Sequence, residues 1–325
     1  MPNMIDLRQL ELAVALDQHR NFGRAAESLG MSQPALSRAI AALEALLDTR
    51  LFDRTNRRVV PTQAGAALLS RARALLADAA ALRDAVNDHK GMRSGHLRVG
   101  VGPYPLDLSV GEAVARLSAR HPLLQVELIE GGWRDFGPKL LAGEVEVAVM
   151  ESSIVASDAR IHVEPLPKHQ GCLFCRRGHP LAGRRGMTLA QILAYPLVGV
   201  RIPAAKLAAA SAGAHGLLPD PVTGDLLPRV TTTSFAASRA IIKRTDGIGM
   251  AVPAQIAEDV RRGELAILDF AATTLKTEYA ITSLQGRLLS PAALEFIDTL
   301  KEVEAGLREP PSGVVRKTRA RPPAG

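Results

Sequence analysis

Residues 21–65, NFGRAAESLGMSQPALSRAIAALEALLDTRLFDRTNRRVVPTQAG, decide the fold of the N-terminal part of the chain. Asn21 is a favourable N-cap, Gly30 can end the first helix by adopting a positive φ, and Ser32 can cap a second helix. A segment rich in arginine and valine follows, with an asparagine at its turn. The pattern predicts a helix, a tight turn, a second helix and a hairpin. This order is typical of domains that place the second helix in a DNA major groove.

Four side chains near the start of the second helix are candidates for base contacts. They are Gln33, Ala35, Ser37 and Arg38. Glutamine can pair with adenine, arginine with guanine, and alanine can contact a thymine methyl group. The hairpin adds Arg54, Arg57 and Arg58, which can reach phosphates or the minor groove. The alternatives are a solvated helix face and a solvated arginine-rich tip.

The overall charge is a weaker indicator of the partner. The 325 residues carry 40 basic and 33 acidic groups, a net charge of +7. Residues 308–325 hold five basic groups and one acid (+4), whereas residues 1–62 hold eight and seven (+1). The case for DNA therefore depends on where the arginines lie. The basic tail either adds non-specific DNA affinity or does nothing.

Several function classes are disfavoured by what the sequence lacks. No apolar run approaches 18 residues, and the charged N-terminus is not a secretory signal, so a cytoplasmic protein without membrane contact is expected. Two cysteines give no disulfide framework. Cys172 and Cys175 lie between two histidines, which allows a metal or redox role. The segment also fits a buried strand, whose residues three apart face opposite sides, and this interpretation predicts no metal.

Residues 63–89 are predicted to form one long helix with an apolar seam. The seam is Leu68, Ala72, Leu75, Ala79, Leu82 and Val86. Its 4-3-4-3-4 spacing is typical of a coiled coil, which would pair two chains. The alternative is packing of this helix on the N-terminal domain of the same chain. Residues 90–96 form a short polar hinge.

From His96 onwards, strands alternate with helices, which predicts an α/β domain with a mainly parallel sheet. Ligands bind such sheets at the strand ends. The candidate ligand-binding residues there are Pro103, Tyr104, Trp133, Glu151, Arg201, Ile202, Pro203, Ser234 and Phe235. Arg134 and Arg201 could add positive charge for an anionic ligand. Each of these residues could instead be a cap, a core residue or a surface charge. Residues 100–105 lack the third glycine of a dinucleotide fingerprint, so no cofactor is expected.

Five segments of the chain resemble parts of the LysR-type transcriptional regulators. AAESLGMSQPALSRAIAALE and LFDRTNRRVVPTQAG resemble their winged helix-turn-helix, and EGGWRDFGPKLLAGEVEVAVM, GHPLAG and TDGIGMAVP resemble their effector-binding domain. The resemblance implies that the recognition helix and the wing contact DNA. The residues implied are Gln33, Pro34, Ala35, Ser37, Arg38, Arg54, Thr55 and Arg57.

The resemblance also implies an α+β multidomain organisation. A winged helix-turn-helix would occupy residues 1–62, and a coiled-coil linker helix with its hinge residues 63–95. A two-lobed α/β domain similar to periplasmic binding proteins would occupy residues 96–302, followed by a basic tail over 303–325. Lobe one would be 96–163 with 271–302, and lobe two 164–270.

The resemblance further implies partners. They are double-stranded operator DNA, a small-molecule effector held between the lobes, and a second copy of the chain in a homodimer that pairs into a tetramer. An activator would also contact RNA polymerase. No catalytic residue set is found, so an enzyme is the less favoured class. A purely architectural DNA-binding protein, whose C-terminal domain serves assembly alone, is the second alternative.

Overall fold

The computed structural model describes residues 4–55, 58–87, 95–152, 158–203, 217–270 and 275–307. They form two compact units. Unit 1 comprises Met1–Pro105, Val114–Pro165 and Ala280–Phe296. Unit 2 comprises Leu106–Ala113, Leu166–Tyr279 and Ile297–Gly325.

The N-terminal domain lies in unit 1 and has the predicted order of elements. These are α1 (Leu7–His19), α2 (Phe22–Ser28), α3 (Gln33–Leu46), β1 (Phe52–Thr55), β2 (Arg58–Pro61) and α4 (Gln63–Asn87). The Asn21 side chain accepts a hydrogen bond from the Arg24 N–H at 3.0 Å, and Gly30 has φ +65°. Ser32 occupies the N-cap of α3 without a side-chain capping bond. The Asn21 cap and the positive φ of Gly30 thus set the bounds of α2.

Helix α4 contributes to the core of the N-terminal domain. Leu69 is buried in the cluster that contains Leu16, Ile40 and Phe52, and Leu68 packs against it. The Arg73 guanidinium pairs with a carboxylate of α1. The first half of α4 is therefore held by its own chain, because its apolar side completes that core.

The rest of unit 1 is a five-stranded sheet with helices. Its elements are β3 (Gly95–Val101), α6 (Gly111–Arg120, whose first residues belong to unit 2), β4 (Leu124–Glu130), α7 (Trp133–Leu141), β5 (Val147–Glu151), β6 (Ile161–Pro165) and β14 (Tyr279–Leu284). The strand order is β4-β3-β5-β14-β6. Strand β3 pairs in parallel with β4 and β5, whereas β14 and β6 are antiparallel. The parallel strands bring their carboxyl ends to one edge of this sheet.

The segment between β3 and β4 is not one continuous α-helix. A helical turn, α5 (Pro103–Pro105), is followed by a π-helical turn over Leu106–Val110 and then by α6. A π-turn inserts an extra residue and rotates the side chains that follow it. Apolar spacing in the sequence does not reveal such an insertion.

The described residues of unit 2 form three small sheets. Its elements are β7 (Cys172–Arg176), α8 (Leu189–Leu193), β8 (Val198–Gly199), β9 (Leu217–Pro219), β10 (Leu226–Pro228), β11 (Val230–Thr231), α9 (Phe235–Ile242), β12 (Gly249–Ala251), α10 (Pro253–Arg261), β13 (Leu265–Ile267) and, mostly, α11 (Pro291–Gly306). Strand β7 lies between β12 and β13 and is antiparallel to both, and β9 is antiparallel to β10. Only β8 and β11 pair in parallel among the described strands of this unit. The prediction of a mainly parallel sheet is wrong here, because strand direction depends on long crossovers that the alternation of elements does not specify.

The compact units differ from the expected lobes at their edges. Residues 106–113 group with unit 2, where Asp107 contacts Gln255 and Arg239 on elements of that unit. Residues 275–279 and 297–302 also group with unit 2. Among the described helices, none combines the length and the apolar character needed to cross a membrane.

Candidate functional site: a nucleic-acid interface and strand-end loops

Helix α3 has one fully buried face and one exposed polar face. Leu36, Ile40 and Leu43 are completely buried. Gln33 and Arg38 lie on the exposed side. Of the remaining candidates, Pro34 is exposed, and Ala35 and Ser37 are half-buried. The buried face fixes the orientation of the helix, so the predicted DNA-contacting residues form its outer surface near the N-terminus.

The hairpin is attached to α3 through a carboxylate that the sequence pattern does not single out. Glu44 Oε1 accepts hydrogen bonds from the backbone N–H groups of Leu51 (2.8 Å) and Phe52 (3.1 Å). The Thr62 hydroxyl donates to the Arg50 carbonyl oxygen at 2.8 Å. These bonds fix the base of the hairpin relative to α3. Nothing in the spacing of Glu44 marks it for this role.

The tip of the hairpin is only partly described. Strands β1 and β2 pair antiparallel, with Thr55 opposite Arg58. Arg54 and Thr55 lie on β1, and Arg57 lies outside the described residues. The hairpin itself is the predicted wing.

The predicted dimerisation seam has two different environments. Leu68 packs on the core of the N-terminal domain, and Ala72 is buried. Leu75 and Leu82 are 52% and 63% exposed. The two other members also lie in α4: Ala79 is half-buried, and Val86 is in the last turn. The exposed leucines, two heptad positions seven residues apart, form an apolar surface that the described residues of this chain leave open.

In unit 1, three predicted effector-binding positions lie at adjacent strand ends. Pro103 follows β3, Trp133 follows β4, and Glu151 ends β5. These strands are neighbours and parallel, and the Gly102 N–H donates to the Val149 carbonyl oxygen at 2.9 Å. The sheet therefore brings the three positions to one edge. The fourth position, Tyr104, is half-buried in the same turn as Pro103.

Trp133 is mainly a core residue. It is only 7% exposed and belongs to the apolar cluster with Phe136, Leu140 and Met150. Its neighbour Arg134 is exposed, with the guanidinium carbon 4.4 Å from the centroid of the indole ring. This stacking orients a cation at the strand-end edge of unit 1.

In unit 2, the candidate cation Arg201 already has anionic partners. Its guanidinium pairs with Asp220, lies 3.5 Å from Asp225 and donates to the Thr223 hydroxyl at 2.9 Å. Hydrogen bonds from the N–H groups of Val222 and Thr223, together with Arg201, lower the pKa of Asp220 to about 2. Asp220 and Asp225 thus offset the positive charge of Arg201, which the sequence pattern suggests is available to a ligand. The sequence signal for these partners is the turn-forming run DPVTGD (220–225), which carries both carboxylates.

The other unit 2 candidates lie around the parallel pair β8 and β11. The Thr232 N–H donates to the Gly199 carbonyl oxygen at 2.9 Å, so the segments after both strands run side by side. Ile202 and Pro203 are buried after β8. Ser234 caps α9 by accepting from the Ala237 N–H at 3.3 Å, and Phe235 is buried.

The two cysteines lie in β7, as the strand interpretation predicts. Burial raises the pKa of the Cys172 thiol to about 12. Burial also raises the pKa of Cys175 to about 11, against the smaller lowering effect of Arg176. Within the described ranges, no group of three or more His, Cys, Asp and Glu side chains is arranged to hold a metal ion.

Two family profiles match the chain. "Bacterial regulatory helix-turn-helix protein, lysR family" matches residues 7–66, and "LysR substrate binding domain" matches residues 90–305. The first covers the helices and the hairpin described above. The second covers the strand-end loops of both units.

Curated relatives agree with these matches. The "SDS degradation transcriptional activation protein" of Pseudomonas sp. (strain ATCC 19151) is 39% identical over 313 residues, which cover 95% of this chain and 99% of that protein. The "DNA-binding transcriptional dual regulator OxyR" of Escherichia coli (strain K12) is 33% identical over 198 residues, 60% of this chain and 63% of that one.

Solved structures share the fold at low sequence identity. ArgP from Mycobacterium tuberculosis has a TM-score of 0.68 at 19% identity, covering 94% of this chain and 99% of that chain. A full-length OxyR variant from Pseudomonas aeruginosa has a TM-score of 0.66 at 19% identity, covering 93% and 95%. Because a DNA-binding domain and an effector-binding domain both match along nearly the whole chain, the protein belongs to the LysR family of DNA-binding transcriptional regulators.

Proposed function

We propose that this regulator reads its operator with the exposed face of α3, supported by the wing. The observation that carries the proposal is the contrast between the completely buried Leu36, Ile40 and Leu43 and the exposed Gln33 and Arg38 on the same helix. A helix held on one side by a core and polar on the other can enter a major groove without losing its packing. Pro34, Ala35 and Ser37 complete the contact surface. The wing contacts the neighbouring DNA backbone through Arg54, Thr55 and Arg57.

The second part of the proposal is pairing through α4. Leu75 and Leu82 lie on a surface that suits the same helix of another copy. Two paired chains present two recognition helices to the half-sites of a partly symmetric operator. Association of two such dimers gives the tetramer expected from the family resemblance.

Footprinting on the upstream region of the gene itself tests this function. The expected result is protection of two half-sites at a spacing of about one helical turn or a multiple of it. Replacing Arg38 with alanine should weaken protection of the half-sites and make protection less dependent on one base pair of each half-site. A footprint of the Arg38→Ala variant with unchanged strength and unchanged base preference would contradict the assignment of α3 as the reading helix.

The effector is proposed to be an anion with an apolar portion. Arg134, stacked on Trp133, supplies an oriented cation at the strand-end edge of unit 1 that also carries Pro103 and Tyr104. The relative that is 39% identical is named for SDS degradation, and dodecyl sulfate is an anion of this class.

A thermal-shift screen with dodecyl sulfate below its micelle concentration, dodecanoate and dodecyltrimethylammonium tests the effector class. The two anions are expected to raise the melting temperature and to change operator affinity, whereas the cation should do neither. The Arg134→Gln variant should lose the response. If no small molecule alters stability or DNA binding, the C-terminal domain serves assembly alone. If occupancy of the operator increases transcription, we infer that the regulator also contacts RNA polymerase.

A further inference from the structure

A second cationic surface lies in unit 2, far along the chain from the helix-turn-helix. We call residues 177–187, RGHPLAGRRGM, the basic loop; it connects β7 to α8. Residues 166–193 contain five lysines and arginines and no aspartate or glutamate. Any neutralisation must therefore come from other segments of the chain.

Two of the five cations are neutralised by distant carboxylates. Arg176 Nη2 lies 2.7 Å from Asp246 Oδ1, and Lys168 Nζ lies 3.0 Å from Glu278 Oε1. Exposed Arg177, Arg184 and Arg185 have no carboxylate within ion-pair distance among the described residues. The basic loop thus carries three positive charges that the described parts of the chain leave uncompensated.

The backbone of the basic loop is fixed by buried side chains at its base. Leu181 and Met187 belong to the core cluster of unit 2. The His179 Nδ1 accepts from the Leu181 N–H at 3.0 Å, and its Nε2 lies 3.2 Å from the Asp246 carbonyl oxygen, consistent with a neutral ring that donates to that oxygen. Because these contacts order the backbone, binding costs less conformational entropy than it would for a free loop.

Glycines flank the pair of arginines at the tip. Gly183 and Gly186 adopt φ +77° and +64°, and nothing lies within 4 Å of the position that a Cβ would take at either residue. The left-handed conformations turn the chain sharply on both sides of Arg184 and Arg185. The two guanidinium groups are therefore carried on an open, exposed tip.

We propose that the basic loop contacts the phosphate backbone of double-stranded DNA outside the segment covered by the helix-turn-helix. Guanidinium groups form forked hydrogen bonds to phosphate oxygens, which suits a tip made of arginines. The N-terminal domain holds DNA on the same protein, which raises the local concentration of phosphate for any second cationic surface. A contact of this kind adds affinity without adding sequence preference.

Two duplexes distinguish this contact from operator reading. One is no longer than the footprint, and the other carries the same central sequence extended on both sides. Affinity for each is measured over a range of salt concentrations with the full chain. The test variant is Arg184→Gln with Arg185→Gln. The matched control is Arg261→Gln with Arg262→Gln, two exposed arginines of unit 2 that pair with Glu258.

On the extended duplex, the test variant is expected to lose affinity. Its salt dependence should be less steep by about 0.9 for each phosphate that the basic loop no longer neutralises. The wild-type protein, the test variant and the control variant should bind the short duplex with equal affinity. Unchanged melting temperatures exclude unfolding as the cause.

Three results would overturn the proposal. The first is an unchanged salt dependence of the test variant on the extended duplex. The second is an equal loss for the control pair, which would show that any removed charge suffices. The third is a changed oligomeric mass with unchanged DNA affinity, which would assign the basic loop to a protein partner. Failure of operator reading itself would appear on the short duplex, so the two failures are distinguishable.

Discussion

A Cβ atom added to Gly65 would overlap the carbonyl oxygen of Leu51 and stand 2.9 Å from its carbonyl carbon. The first turn of α4 and the residue before the hairpin therefore meet backbone to backbone. The Gly65 N–H is also held by the preceding turn, since it donates to the Thr62 hydroxyl at 3.0 Å. Glycine is required here by close approach, because no side-chain rotation can relieve a clash between backbone and Cβ.

The Gly65→Ala substitution is expected to destabilise the N-terminal domain. Overpacking usually costs about 1–3 kcal/mol, and the loss here should lie near the upper end of that range. Thermal unfolding measures the loss. Gly306→Ala is the control, because nothing lies within 4 Å of the added Cβ in that position. Equal stability of the two variants would show that the contact between Leu51 and α4 can relax freely.

Arg38→Ala should relax base preference at one operator position by about 1–3 kcal/mol, because the proposed forked hydrogen bonds of this side chain to guanine would be lost. Arg57→Ala should instead weaken binding evenly across sequences and reduce the salt dependence. Competition binding against operator variants separates the two effects. Arg8→Ala, which removes an exposed arginine paired with Glu11 on α1, serves as the control. Equal losses on all sequences from Arg38→Ala would count against a base contact.

Replacing Leu75 and Leu82 with lysine should convert dimers to monomers without unfolding the chain, because both side chains are exposed. Leu69→Ala should instead destabilise the fold and leave the pairing surface intact. Leu69 is 2% exposed in the core, so its truncation should cost about 2–5 kcal/mol of stability. Light scattering and thermal unfolding on the same samples give both readouts. Dimers that persist in the double lysine variant would place the pairing surface elsewhere.

Stability should fall in mildly acidic solution through His179. Burial lowers the pKa of His179 below 6.5, despite the hydrogen bond to the Asp246 carbonyl oxygen. The unfolded chain therefore takes up this proton first, so the contribution is complete above about pH 6.5 and is lost as the pH falls towards the folded-state pKa. His179→Gln should flatten the decline in unfolding free energy over this interval. Parallel curves for wild type and His179→Gln would refute the assignment.

The thiols of Cys172 and Cys175 should react slowly with alkylating reagents near neutral pH. The raised pKa values leave almost no thiolate, and the thiolate is the reactive species. Peroxide should likewise leave DNA binding unchanged. Reaction in denaturant provides the reference rate. Alkylation of the folded protein at that reference rate would indicate that β7 opens readily.

Elements whose ends depend on neighbouring residues can be predicted from the sequence. Asn21 and Gly30 set the limits of α2 through contacts within a few residues, so both helices of the reading motif follow from local chemistry. The strand ends that carry Pro103 and Trp133 follow from the same local rules. The direction of β7 relative to β12 and β13 does not, because the chain between those strands is long.

Charge pairing across the chain is equally hidden from the sequence. Arg201 looks available for a ligand, but its partners Asp220 and Asp225 lie 19 and 24 positions further along. The heptad spacing of the linker residues predicts a long helix, which α4 confirms. It cannot show that Leu68 and Ala72 pack inside their own chain while Leu75 and Leu82 remain exposed.

The burial of Leu69 in the N-terminal core has a consequence for how the protein can be divided. A fragment cut after Thr62 would open that core to water, so a self-sufficient reading module has to extend several turns into α4. Recombination between related genes is constrained in the same way. The operator-reading module and the first half of α4 must therefore be inherited together.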